Sequence, residues 1–213
     1  FHKLDRRDRL GGESFRTTAA RPMPWGFVGR GSVLPVPTNL DFERGRPGDL
    51  PSEWTFSLRH EAFGYRAGFS AGHAHSGHGS GSLWREPGPV YGMDSGPLKQ
   101  SVDATPYRGQ HVRVSAWLRA ETGNGDGRGH LTVAIADPMQ MPWGQPWTQQ
   151  NYRNPVRNAD WQQRSIEVDV GATAQRLEVG AVLVGDGRLW IDDVAIESLG
   201  PTTAAPVAAA ATP

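Results

Sequence analysis

Apolar and polar side chains alternate with a period of two residues along the central part of the chain. Val112, Val114, Ala116 and Leu118 alternate with mostly polar neighbours. Successive side chains of a strand point to opposite faces, so this alternation predicts a strand with one face on a core. The same period recurs at residues 131–135, 166–170, 177–183 and 188–197. These segments predict a series of strands.

Short Gly- and Pro-rich segments separate the predicted strands. Gly185-Asp186-Gly187 is a tight-turn signal directly before the last of them. With 27 Gly and 17 Pro, the chain favours turns, and no segment has the spacing of a long amphipathic helix. Strands at short spacing without intervening helices predict an all-β fold, an antiparallel two-sheet sandwich.

The two ends of the chain differ from this body. Residues 1–37 carry seven basic and three acidic residues, many Pro and Gly, and no sustained apolar period. Residues 199–213 are mostly Pro, Ala and Thr. We therefore expect an extended basic arm at 1–37, a single β-sandwich at 38–198 and a short C-terminal tail at 199–213.

Several short motifs follow one another between residues 39 and 197. They are Asn39–Gly45 with Trp54, His75–Gly77 with Ser80 and Leu83, Leu98–Val102, Tyr107–Gly109 with Val112, Asp160–Trp161 with Val168, and Trp190–Val194. In order and spacing they resemble the strands of galactose-binding-like jelly rolls, the fold of many carbohydrate-binding modules. The resemblance implies a jelly-roll topology for the sandwich. The arm and the tail lie outside it, and the Pro- and Trp-rich segment 137–147 departs from the family's pattern.

The resemblance also implies a structural calcium ion between the first and last strands. The positions that match the family's ligands are Glu43 and Asp192. Calcium takes about six to eight oxygen ligands, so carbonyl or water oxygens would have to complete the site. If Trp190 faces the core, Asp192 points inward and needs a partner or a cation. If Leu189 and Ile191 face the core instead, Asp192 is an ordinary exposed residue beside a bulge.

Charge and composition exclude several classes of function. The chain has 22 basic and 22 acidic residues and no cysteine. It therefore lacks the net basic face of a general nucleic-acid binder, and it is neither a disulfide scaffold nor a cysteine-ligated zinc protein. No apolar run is long enough to span a bilayer. The arm carries a net charge of +4 and the remainder −4, so the arm can fold back onto its own body or reach an acidic neighbour.

Aromatic and Met side chains concentrate in and beside the predicted loops. The candidate ligand- or partner-binding residues are Trp84, Tyr91, Met139, Met141, Trp143, Trp147 and Tyr152. Their rings could form a platform for a glycan or the core of a protein interface, and the two methionines favour the interface. A third interpretation is that loop 137–147 folds back over its own sandwich. The remaining tryptophans of the sandwich lie on predicted strands and are interpreted as sandwich packing: Trp54, Trp117, Trp161 and Trp190.

Other motifs point to little further chemistry. His73, His75 and His78 could share a zinc or nickel ion, but the glycines around them favour a mobile, solvent-exposed loop. The chain has no G-x-S-x-G elbow, no H-E-x-x-H and no phosphate-binding loop. Asp192 and Asp193 are adjacent on a predicted strand and point to opposite faces, so they cannot flank one glycosidic bond. We therefore predict that the chain is not an enzyme.

The basic arm provides the leading hypothesis for function. The arm has no core of its own, so a partner surface would have to order it, with aromatic rings as anchors and basic groups facing acidic ones. The candidate docking residues are Phe1, Lys3, Leu4, Arg6, Arg7, Arg9, Trp25 and Phe27. We expect a non-catalytic accessory or scaffolding subunit that docks through this arm and the aromatic and Met loop onto the protein subunits of a larger assembly, whether or not that assembly is membrane-associated. The alternative is a carbohydrate-binding module.

The location of the protein is open between two expectations. Phe1 is not an initiator methionine, so we expect either a removed signal or a chain that starts earlier. The tail resembles linkers of exported bacterial proteins, which favours an extracytoplasmic site such as the periplasm or the cell surface. A basic segment beside a membrane anchor outside the given sequence would instead favour the cytoplasmic face.

Overall fold

The fold is known from a computed structural model that describes residues 32–85, 95–122, 127–139 and 154–202, together with the backbone of 147–150. These residues form ten strands, one helical turn and one 3-10 turn. The strands are β1 Thr55–Phe56, β2 Tyr65–Ala71, β3 Gly79–Arg85, β4 Ser95–Asp103, β5 Gln110–Glu121, β6 Arg128–Ala136, β7 Trp147–Gln150, β8 Gln162–Asp169, β9 Arg176–Val184 and β10 Gly187–Pro201. Helix α1 covers Leu58–Glu61, and the 3-10 turn covers Thr105–Tyr107.

The strands form two five-stranded sheets. The first sheet has the order β1-β4-β9-β6-β7, and the second has the order β2-β3-β10-β5-β8. All pairs of these strands are antiparallel. The chain is therefore an all-β jelly-roll sandwich, which confirms the predicted fold class. The two-residue turn at Gly185 and Asp186 joins β9 to β10, as the sequence predicted.

The core lies between the two sheets and consists of the apolar positions of the alternating pattern. Val112, Val114, Ala116 and Leu118 of β5 are fully buried. The first sheet contributes inward-facing residues of three strands to the same cluster: Leu98, Val102, Leu131, Val133, Leu177, Val179, Ala181 and Leu183. Each buried Val or Leu side chain contributes about 1.5–3 kcal/mol, so this layer is the main source of stability.

Only one of the four tryptophans interpreted as sandwich packing lies in the core. Trp54 is buried, stacks on Phe42 with ring centroids 4.4 Å apart, and donates its indole N–H to the Asn39 carbonyl oxygen at 3.0 Å. The interpretation of Trp117, Trp161 and Trp190 as packing between the sheets is wrong. Alternate positions of β5 and β10 fill the core, so Trp117 and Trp190 lie on the outer face of the second sheet, where Trp190 is nevertheless buried. Trp161 directly precedes β8 and contacts the His75 ring, outside the core cluster.

The sandwich extends a few residues at both of its ends. Leu34 forms a bridge with Val102 of β4 and exchanges hydrogen bonds with its neighbours, from Leu34 N–H to Ser101 O at 2.9 Å and from Asp103 N–H to Leu34 O at 2.8 Å. At the other end, β10 continues to Pro201. No helix in the described part of the chain is long and apolar enough to cross a membrane.

Candidate functional site

A groove of about 200 Å³ crosses the outer face of the first sheet. Strands β4, β9 and β6 form its floor, and α1 contributes to one side. Its lining combines charged, hydroxyl and small apolar side chains: His60, Ser95, Pro97, Lys99, Thr132, Ala134, Glu178 and Val182. The groove is smaller and more polar than the usual enclosed pocket of about 300–1,000 Å³, so it suits one polar face of a ligand rather than an enclosed small molecule.

Gly180 of β9 lies between two of these lining residues in the strand register. It pairs with Lys99 of β4 on one side and with Thr132 of β6 on the other. A Cβ at position 180 would collide with the Leu98 carbonyl oxygen of the neighbouring strand. Glycine therefore allows the close approach of β9 to β4 at the point where Lys99 and Thr132 flank β9.

Two opposite charges lie along the groove. Lys99 Nζ lies 2.7 Å from Glu178 Oε2, and Arg176 Nε lies 3.0 Å from Glu178 Oε1 as an ion pair without hydrogen-bond alignment. The Ser101 hydroxyl donates to the same carboxylate at 3.3 Å. The Glu178 side chain is only 9% exposed, whereas Lys99 is 38% exposed. The carboxylate is therefore fixed from several sides, and the ammonium group is the part of this pair that a ligand can reach.

His60 is held in its neutral form at the edge of the groove. Burial lowers the pKa of the imidazole, outweighing the hydrogen bond to the Ser95 carbonyl oxygen, and the charges of Arg59 and Lys99 lower it further. The Nδ1 atom lies 2.8 Å from that carbonyl oxygen, which can only accept, so Nδ1 carries the proton. This tautomer leaves Nε2 as a hydrogen-bond acceptor.

The structure separates the aromatic residues predicted to bind a ligand. Trp84 lies on β3 of the second sheet, whereas Met139 follows β6 of the first sheet and is 75% exposed. The backbone of Trp147 begins β7, the edge strand beside the groove-forming β6. The other predicted residues lie outside the described residues: Tyr91, Met141, Trp143, Tyr152 and the side chain of Trp147. The predicted docking residues of the arm, from Phe1 to Phe27, lie outside them as well.

The histidine-rich stretch forms a loop, residues 72–78, that is fastened to β10. The Asp192 carboxylate accepts the backbone N–H groups of His75 at 2.7 Å and Ser76 at 3.2 Å. Asp193 lies 2.7 Å from His75 Nδ1 and accepts the Ser76 hydroxyl at 2.9 Å. The His75 ring also stacks on Trp117 with centroids 3.9 Å apart. The loop is exposed, as predicted, but it is anchored rather than free.

Asp192 points to the outer face of the second sheet, as in the second predicted orientation of β10, but it is not exposed there. Leu189 and Ile191 face the core, and an irregularity in pairing follows between Asp192 and Ala195. Asp192 is nevertheless fully buried, because the 72–78 loop covers it from outside the sheet. Burial raises the pKa of this carboxyl to about 6, against the backbone hydrogen bonds that lower it. Sequence periodicity could not reveal a residue that is buried on the outer face.

The described residues do not fit the predicted calcium shell. Asp192 is surrounded by N–H donors, the third from Asp193 at 2.8 Å, and N–H groups cannot coordinate a cation. Glu43 accepts the backbone N–H of His78 at 3.0 Å and also contacts the His78 ring. Within the described ranges, no group of three or more His, Asp or Glu side chains could hold a metal ion. Calcium at Glu43 and Asp192 stays a prediction.

Sequence reasoning missed the groove itself. Lys99, Glu178 and Thr132 stand at the outward positions of alternating strands, where polar residues are the ordinary solvent-facing pattern. Only the register brings them together across three strands that are distant in sequence. The one available signal was Gly180, because a glycine inside a strand pattern marks a close approach of backbone.

No protein-family model matches the chain, and no curated protein sequence matches it. One solved structure with a similar fold is the CBM22-1 xylan-binding domain of Paenibacillus barcinonensis, at TM-score 0.53 and 14% identity. The match covers 75% of this chain and 94% of that domain. A second is the C-terminal family 22 carbohydrate-binding module of Clostridium thermocellum, at TM-score 0.53 and 11% identity, covering 79% and 100%.

A third similar structure belongs to a larger protein. The enzymatically active domain of tailspike protein 4 of bacteriophage CBA120 matches at TM-score 0.52 and 12% identity, covering 78% of this chain and 22% of that one. Together these likenesses show the fold. The chain shares the jelly-roll sandwich fold of these solved domains.

Proposed function

We propose that the chain is a non-catalytic carbohydrate-binding module that holds a polysaccharide in the groove of the first sheet. The observation that carries this proposal is the groove on β4, β9 and β6, which is lined by Lys99, Glu178 and Thr132. Among the similar solved structures, three are described as xylan-binding domains and another as a family 22 carbohydrate-binding module. They support a neutral polysaccharide as the ligand class.

The groove side chains match the hydrogen-bonding needs of sugar hydroxyl groups. A hydroxyl group both donates and accepts, so it pairs best with a site that offers both functions. Lys99 supplies donors, the neutral His60 supplies an acceptor, and Glu178 keeps the ammonium group in place. Charge-assisted hydrogen bonds from fixed groups are stronger than neutral ones and lose less freedom on binding.

The aromatic residues of the neighbouring loops would complete this site. Pyranose rings have an apolar face that stacks on flat aromatic side chains, a contact that hydrogen bonds alone do not replace. Trp147 begins the edge strand β7, and Trp143 precedes it by four residues in the sequence. We propose that these two tryptophans contribute the stacking surface. A polysaccharide ligand also agrees with the expected extracytoplasmic location.

A protein-docking role through the arm and the Met-containing loop stays a prediction. Residues 1–31 and the central part of the loop lie outside the described residues, so no contact supports it. Solved structures with a similar fold include carbohydrate-binding modules, and none of those described above is a docking subunit. The glycan hypothesis therefore becomes the leading one.

Affinity gel electrophoresis against xylan and a panel of other neutral polysaccharides tests this function. We expect retardation by at least one neutral polymer, and a loss of about tenfold in affinity for Lys99→Met and for Trp143→Ala, as for one good contact. Arg113→Ala is the matched control, because Arg113 lies on β5 of the opposite sheet. Binding that is absent for every polymer, or equally weakened in the control, would overturn the proposal.

A further inference from the structure

Arginine and tryptophan side chains form a row on the outer face of the second sheet, opposite to the groove. In the strand register, Trp84 of β3 pairs with Arg188 of β10, and Trp190 of β10 pairs with Arg119 of β5. The Arg188 guanidinium lies over both rings, 5.4 Å from the Trp84 centroid and 5.7 Å from the Trp190 centroid. Arg119 lies 5.1 Å from the Trp190 centroid. We call these four residues the Arg–Trp row.

Small residues on the neighbouring strand let the row lie flat on the sheet. The Trp84 ring lies 3.5 Å from the position that a Cβ on Gly68 would occupy. The Trp190 indole N–H donates to the Ser70 hydroxyl at 3.2 Å, and His73 stacks on the same ring at 5.2 Å. Trp190 is almost fully buried under these groups. It therefore serves as a support for cations rather than as a contact surface, whereas Trp84 remains half-buried and reachable.

Among the described residues, the exposed cation of the row has no acidic partner. Arg188 is exposed and, within the described ranges, contacts only aromatic rings and makes no ion pair. Arg119 pairs with Glu121 at 2.7 Å, but its Nε has no hydrogen-bond partner in the described part of the chain. Arg66, which pairs with Trp84 in the register, donates to the carbonyl oxygens of Glu61 and Tyr65.

The row therefore carries one cation more than its ion pairs neutralise within the described residues. It presents two guanidinium groups, Arg119 and Arg188, and only Arg119 pairs with a carboxylate there, that of Glu121. A guanidinium that stacks on an aromatic ring keeps its in-plane N–H groups free, and those groups fit a carboxylate in a bidentate manner. The aromatic contact also restricts the arginine side chain, which lowers the entropy lost when an anion binds.

We propose that the Arg–Trp row is a second binding surface, for the carboxylate groups of an acidic polysaccharide. Arg188 binds the carboxylate of a uronic acid residue, and the accessible part of the Trp84 ring contacts the adjoining sugar ring. The proposal takes its ligand class, a polysaccharide, from the proposed function, but it uses the other sheet and a different chemical group. The module would then hold one neutral and one acidic polymer segment on opposite faces.

Polygalacturonate is the probe for this surface, and the same polymer with its carboxyl groups reduced to alcohols is the ligand control. With the full chain at low salt, we expect Arg188→Ala to weaken binding to polygalacturonate by about tenfold and Arg188→Lys to weaken it less. Trp84→Ala should also weaken binding, because it removes the support of the guanidinium. About 0.3 M salt should weaken wild-type binding strongly, since the contact is charged and exposed.

Arg113→Ala is the protein control, because it removes the same charge from the same face of the same sheet. Unlike Arg188, Arg113 already pairs with a carboxylate, that of Glu167 at 2.8 Å. We expect no more than a twofold effect there, about 0.4 kcal/mol. An equal loss in both variants, or equal binding of duplex DNA, would show nonspecific polyanion attraction and overturn the proposal. Binding of dextran sulfate in place of polygalacturonate would overturn the assignment of carboxylates as the bound groups. An affinity for polygalacturonate that is unchanged in Arg188→Ala would overturn the assignment of the Arg–Trp row as the binding surface.

The result also separates this inference from the proposed function. Arg188→Ala should leave binding of neutral polysaccharides unchanged, whereas Lys99→Met should leave binding of polygalacturonate unchanged. If no neutral polymer binds but polygalacturonate binding depends on Arg188, the groove function fails and the Arg–Trp row stands. If neutral binding persists and Arg188 has no effect on polygalacturonate, only the further inference fails.

Discussion

The ion pair between Lys99 and Glu178 should couple the two strands that carry the groove, and its strength follows from its burial. At about 4 Å and the effective dielectric near a protein surface, two unit charges attract by about 4 kcal/mol. Desolvation of the carboxylate, which is 9% exposed, and ordering of the lysine side chain, which is 38% exposed, offset most of this attraction. We expect a net coupling of about 1–2 kcal/mol, between the values for exposed and buried pairs.

A double-mutant cycle measures this coupling. Lys99→Met, Glu178→Gln and the double variant are unfolded in urea with tryptophan fluorescence as the signal, and the interaction energy is the non-additive part of the three changes. Arg176 and Ser101 remain in every variant, so their contacts with residue 178 enter both sides of the cycle. A coupling below about 0.3 kcal/mol, the scatter of independent sites, would refute a formed pair.

Three further predictions concern stability and protonation. Trp54→Ala should lower the free energy of unfolding in urea by about 3–5 kcal/mol because the Trp54 ring is buried. Trp161→Ala, outside the core cluster, should lower it by less than half of that. Equal losses in the two variants would contradict the core assignment. The folded-state pKa of His60 should lie below 6.5, so the folded state binds fewer protons than the unfolded state. The free energy of unfolding should therefore fall as the pH drops through about 6.5. An NMR titration that gives His60 a pKa at or above that value would contradict the burial argument. His75→Ala should cost about 1–2 kcal/mol because it removes a ring stack on Trp117 and a hydrogen bond to Asp193. A change below about 0.3 kcal/mol would show that the His75 side chain does not anchor the 72–78 loop.

The sequence predicted the sheets well because a half-buried strand carries its own signature. The period of two at residues 112–118 and 177–183 marks the inward face directly, and the turn at Gly185 and Asp186 follows from local backbone preference. Both signals arise from neighbours in the chain. They therefore survive without any knowledge of the partner strands.

The outer faces could not be read in the same way. A tryptophan at an outward position, such as Trp190, reads as a core residue because it is large and apolar, yet it is buried under His73 and two arginines. Asp192 is buried by a loop that is more than a hundred residues away in the sequence. Such burial depends on what covers a sheet from outside, which periodicity within one strand does not encode.

The candidate site shows the same limit. The predicted ligand residues have aromatic or methionine side chains. Trp84 lies on the second sheet, whereas Met139 follows β6 of the first sheet. The groove depends instead on register, which places Lys99 and Thr132 on the two sides of Gly180. Only the antiparallel pairing of β4, β9 and β6 brings these ordinary polar positions into one space.

Chemical-shift mapping of a bound neutral polysaccharide fragment tests the central claim most directly. The chain is labelled with ¹⁵N and titrated with oligosaccharides of the polymer that retards it, and the shifts of backbone amides are followed. We predict the largest shifts on β4, β9 and β6, with the Gly180 amide among them because Gly180 pairs with the lining residues Lys99 and Thr132. Shifts confined to the second sheet, or none at saturating fragment, would contradict a polysaccharide site in the groove.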